Sequence, residues 1–150
     1  MLKRGQAAME FLMTYGWAIL AAIIAIGVLA YFGVFSPGQF VGSSAVVTAP
    51  FYANAWNVNP TTVNIELRNN GGETLTINDI VLSNLDGATS CTPTGSLGSV
   101  SASDTIITNV ACSGLTVGST FKGDITITYS KQGSGLTLRS TGTITDRVTS

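Results

Sequence analysis

The residues with the most chemical content open the chain. Lys3 and Arg4 come first, then Gly5-Gln6, then Glu10, which stands ahead of an uncharged apolar run from Phe11 to Phe35. A small residue behind two cations makes the Gly5–Gln6 peptide bond a candidate for cleavage. A cut there creates an α-amine four residues before Glu10. That amine and the Glu10 carboxylate of another subunit could neutralise each other as the helix moves from lipid into a helical bundle. Such a pair sets axial register more than it adds stability. Taken by itself, Glu10 has a plainer reading as an interfacial residue. An acid costs about 2.5–3.5 kcal/mol at the bilayer centre on insertion scales, but less near a helix N-terminus, which favours negative charge.

Other chemistry is sparse. The chain has no histidine, no Ser or Cys nucleophile in a recognisable setting and no phosphate-binding glycine loop, so no catalytic residues and no cofactors are expected. Asp79, Asp86 and Asp104 match no calcium-loop spacing; Asp86-Gly87 reads as a turn, the others as solvated, and no metal site is expected. Charged residues make up 10% of the chain, with 7 Lys and Arg against 8 Asp and Glu. That leaves no basic face for nucleic acid. Tyr52 and Trp56, four apart, read as core or subunit contacts more readily than as an adhesive patch.

The elements that must position these residues divide the chain. From Ala7 to Phe35 there is no proline and one charge, and the uncharged part extends roughly 37 Å as a helix at about 1.5 Å per residue. That exceeds the roughly 30 Å hydrocarbon core, so residues 6–35 read as a transmembrane helix. The run is too long for the apolar core of an ordinary secretory signal, although Ser43-Ser44-Ala45 offers small residues at a signal-peptidase spacing. Glycines and alanines punctuate the helix, and Gly16 and Gly27 are places where it could bend. Ser36-Pro37-Gly38 should end it, with 36–44 as a neck. Lys3 and Arg4 place the N-terminus in the cytoplasm and the remainder outside. An outside compartment permits a Cys91–Cys112 disulfide, worth about 3 kcal/mol in the chain-entropy model. Two buried thiols are the alternative.

From Ala45 onward the period becomes two. Val63, Ile65 and Leu67 alternate with Thr62, Asn64 and Glu66, and Asn70-Gly71-Gly72 supplies a turn. The run from Leu75 and Ile77 changes phase after Asn78, so Ile80 and Leu82 stay in step only through a bulge. Phe121, Ile125, Ile127 and Tyr129 form another strand, and Lys131–Gly135 a hairpin loop before Leu136 and Leu138. With weaker strands at Val46–Trp56, Thr105–Val110 and Thr141–Thr145, about seven are expected. The class is α+β: a long N-terminal hydrophobic helix followed, over 45–150, by an all-β immunoglobulin-like sandwich.

At Arg4-Gly5, Gln6, Ala8 and Glu10 the chain resembles the archaeal type IV pilin-like precursors with a class III signal peptide, and Phe11–Ala18 continues in a way similar to that group. Ala8 stands where the family more often has Ser, and Thr14 where it often has Leu; neither changes the charge order. The resemblance covers about the first 35 residues. It implies that residues 1–5 are a cleaved leader and that a membrane-embedded prepilin peptidase cuts between Gly5 and Gln6. A cytoplasmic assembly ATPase and a membrane platform protein then stack the helices into a homopolymeric filament. The precursor would reside in the cell membrane and the mature subunit in an extracellular filament, serving adhesion or surface attachment. Archaellins share the plan but usually have a leader without the Gln start. A monomeric membrane-anchored surface domain that keeps its leader is the alternative from another class.

Overall fold

The computed structural model describes residues 2–35 and 42–150. The chain divides into two units, residues 1–40 and 41–150. The first is a single helix, α1 (Leu2–Tyr31). Gly16 and Gly27 leave it unbroken, and it takes in Lys3 and Arg4 as well as the apolar run as far as Tyr31. It stops four residues short of the expected Phe35. Gly33 lies in the left-handed region at φ 72°. Its N–H donates to Ala30 O at 3.0 Å and that of Val34 to Leu29 O at 3.1 Å. This is a Schellman ending, in which glycine takes the conformation that other residues resist. Gly33, two residues past Tyr31, therefore stops the helix, ahead of the expected Ser36-Pro37-Gly38. That tripeptide and most of the neck lie outside the described residues.

The second unit is a sandwich of two antiparallel sheets built from nine strands: β1 (Ser44–Val47), β2 (Phe51–Val58), β3 (Thr62–Asn69), β4 (Leu75–Asp86), β5 (Ser90–Cys91), β6 (Gly98–Val100), β7 (Thr105–Ser113), β8 (Thr120–Lys131) and β9 (Thr137–Arg147). One sheet runs β1-β9-β8-β4-β6 and the other β2-β3-β7-β5. The chain is thus α+β, a long helix followed in sequence by an antiparallel two-sheet β-sandwich, compatible with the immunoglobulin-like class. The two hairpins within a sheet are β2–β3 and β8–β9; the remaining connections cross between sheets.

The alternating residues supply the core. Val63, Ile65 and Leu67 of β3 meet Ile77, Ile80 and Leu82 of β4 and Phe121, Ile125 and Ile127 of β8, all buried. Each such side chain contributes about 1.5–3 kcal/mol on full burial. Phe51 and Tyr129 meet edge to face across the sandwich at 5.2 Å. The register of β4 against β8 shifts between Ile77 and Asp79, which is the bulge that the phase change after Asn78 requires.

Three strand expectations need correction. Val46–Trp56 is two strands, β1 and β2, in different sheets; Pro50 has no N–H to give a ladder, and the chain changes sheets there. The segments near Leu138 and Thr141–Thr145 are one strand, β9. Ser140 interrupts its apolar alternation because its buried hydroxyl donates to Thr48 O. Leu136 lies in the loop before it. Finally, β5 and β6 span two and three residues, too short to leave any periodic signal.

Candidate functional site

Lys3, Arg4, Gly5, Gln6 and Glu10 all lie in α1 and are exposed. Glu10 follows Gln6 by four residues and so sits one turn above it on the same face. The Gly5–Gln6 bond is helical, and Gly5 weakens this turn, since Gly costs about 1 kcal/mol against Ala in a helix interior. A β-carbon at Gly5 would meet nothing within 4 Å, so neither packing nor a turn requires glycine here.

The rest of the helix is apolar on every side. Met9, Phe11, Leu12, Met13, Ile19, Leu20, Ile23, Ile24 and Ile26 are all exposed. A helix apolar all round needs lipid or protein all round. By length and composition α1 suffices to cross a membrane, with a mean hydropathy of 2.2 over an 18-residue stretch, which is compatible with membrane anchoring or a signal sequence. Its uncharged helical part, Phe11 to Tyr31, rises roughly 31 Å, close to one hydrocarbon core. Tyr31 stands at the C-terminal end of this span, a position that tyrosine favours at membrane–water boundaries.

In the sandwich, Cys91 and Cys112 face each other in the β5–β7 register and are joined as a disulfide. The bond lies within one sheet and ties its two-residue edge strand to β7. The three aspartates do not converge. Asp79 accepts from Gly95 N–H at 2.9 Å and Asp104 from Thr105 N–H at 2.9 Å, whereas Asp86 stands opposite Lys122 in the β4–β8 register, after the second bulge of β4. Among the described residues, no three Cys, Asp or Glu side chains are grouped to hold a metal ion. Tyr52 and Trp56 also separate. The register of β2 shifts between Ala53 and Ala55, so Tyr52 faces solvent while Trp56 packs against the core and donates to Ser43 Oγ at 2.8 Å.

One organising residue escaped the sequence reading. Asn69 is fully buried, and its amide donates to Glu73 O at 2.7 Å and Val100 O at 2.9 Å. It ties the β3–β4 connection to the end of β6. Its neighbour Asn70-Gly71 carries the visible turn signal, so nothing in the sequence singles Asn69 out. In comparisons with known proteins, no family model and no curated sequence matches the chain.

Proposed function

We propose that this protein is the structural subunit of an extracellular filament of the archaeal type IV pilus kind. The carrying observation is the helix itself: apolar and exposed on every side, with a lone carboxylate, Glu10, one turn beyond the Gly5–Gln6 bond. In the precursor, Lys3 and Arg4 hold the N-terminus on the cytoplasmic side while the helix lies in the membrane. Prepilin peptidase removes residues 1–5. The new helix then begins at Gln6, and Glu10 lies in its second turn, near the favourable end of the helix dipole. In the filament the amine at Gln6 of one subunit neutralises Glu10 of another, which fixes axial register as the apolar faces pack. The assembly ATPase and platform protein drive this transfer. The sandwich, cross-linked by its disulfide, forms the outer surface and serves adhesion or surface attachment, with no catalytic role.

The near match of Phe11–Tyr31 to one bilayer also favours a second reading, a monomeric anchored surface domain. The N-terminal residue and intact mass of the cell-surface protein, with negative-stain images of the same fraction, separate the two. A start at Gln6 in a fraction bearing filaments is expected. An intact leader in membranes without filaments overturns the filament reading in favour of the anchor.

A further inference from the structure

We propose that Asn70 is a deamidation site that the fold holds closed, with the buried side chain of Asn69 as the latch. The inference does not depend on the filament reading. Asn70-Gly71 is the one Asn-Gly pair in the sequence, and Asn70 is exposed. In an open chain this dipeptide is the most reactive of its kind, because glycine puts no side chain in the way of its own backbone nitrogen. That nitrogen loses its proton and bonds to Cγ of Asn70, and the bond to the side-chain nitrogen breaks. Ammonia leaves and a cyclic imide remains. Water opens the imide at either carbonyl, giving aspartate or isoaspartate.

The fold occupies the nucleophile. Gly71 N–H donates to Asn69 Oδ1 at 2.8 Å, and Asn70 N–H donates to Pro50 O at 2.9 Å. Attack on Asn70 requires the Asn70–Gly71 peptide to rotate, which breaks the bond to Asn69. Gly71 is also hemmed in: a β-carbon there would lie 3.0 Å from Pro50 Cβ and 3.3 Å from Leu75 Cδ1. Asn69 cannot readily release it. Besides Glu73 O and Val100 O, its amide reaches Ser101 O at 3.2 Å, its own N–H donates to Asp104 O at 2.9 Å, and its carbonyl accepts from Ser103 N–H at 2.8 Å. An isoaspartate at position 70 would add a methylene to the backbone where it crosses between the sheets.

The test incubates the full-length folded protein in mildly alkaline buffer and follows the amide-to-acid mass gain of the peptide containing Asn70. Isomerisation at Asp86-Gly87 leaves the mass unchanged and does not interfere. Folded wild type should deamidate at Asn70 on the order of tenfold more slowly than the same chain in denaturant, the scale of one retained hydrogen bond and its surroundings. The Gly71 amide should be protected from hydrogen exchange. Folded Asn69→Ala should lose both protections. Equal rates in folded and denatured wild type, or free exchange at Gly71, overturn the proposal. A folded Asn69→Ala that deamidates no faster removes Asn69 as the latch. If that variant does not fold, the two wild-type measurements decide.

Discussion

Gly142 of β9 and Val47 of β1 stand opposite each other with no room for a side chain between them: a β-carbon at Gly142 would overlap Val46 O and lie 2.8 Å from Val47 Cα. The edge strand β1 therefore closes on β9 because residue 142 is glycine. Gly142→Ala should destabilise the sandwich by about 1–3 kcal/mol, the usual range for overpacking. Hydrogen exchange should show the loss first in the β1 amides, while those of β8 stay protected. An unchanged denaturation midpoint would show that β1 shifts freely and that the close approach has no energetic weight.

Thr108 carries the opposite kind of defect. It is buried in β7, and its hydroxyl has no hydrogen-bond partner among the described residues. Valine has nearly the same shape without the unpaired group. Thr108→Val should stabilise the domain by about 1 kcal/mol, the desolvation penalty removed, measured as a rise in urea midpoint at constant slope. A fall would mean that an internal water satisfies the hydroxyl.

The Lys131–Glu73 pair predicts a pH dependence. Lys131 Nζ lies 2.6 Å from Glu73 Oε1, with both side chains about half exposed. The hydrogen bond to Glu73, reinforced by its charge, raises the Lys131 pKa. A pKa raised by folding adds stability that is complete below the unfolded value, about 10.4 for lysine, and is lost as pH climbs through the folded value. Wild type should exceed Glu73→Gln by a small margin at neutral pH, small because solvent screens the pair. That margin should vanish in strongly alkaline solution. A margin independent of pH would assign the effect to packing.

On the proposed assembly, Glu10→Gln should abolish or sharply reduce filament yield while the thermal melting of the sandwich stays at the wild-type value. Normal filaments from this variant would rule out pairing of Glu10 with the amine of Gln6.

Gly5→Leu tests the processing step. The open space around Gly5 means that the helix accepts leucine, so any defect lies with the peptidase. The variant should accumulate in the membrane with its leader intact, seen by intact mass. Cleavage at the wild-type rate would place the processing site elsewhere.

The split between what was readable and what was not follows the range of the interactions. Local patterns were enough for the apolar helix, for the change to period two at Ala45 and for the bulge after Asn78, because side-chain periodicity and phase are written in adjacent residues. They were also enough for the lone charge at Glu10. Tertiary structure decided where partners lie far apart in the chain. Pro50 turned one expected strand into two by sending the chain to the other sheet. Ser140 was absorbed into β9 because Thr48, 92 residues away, accepts its hydroxyl. Tyr52 and Trp56 took opposite faces because β2 bulges against β3. Asn69 became a hub because β6 and the β6–β7 turn fold back onto it. Burial, register between strands and the satisfaction of a buried amide depend on which segments meet, and composition along one strand cannot specify that.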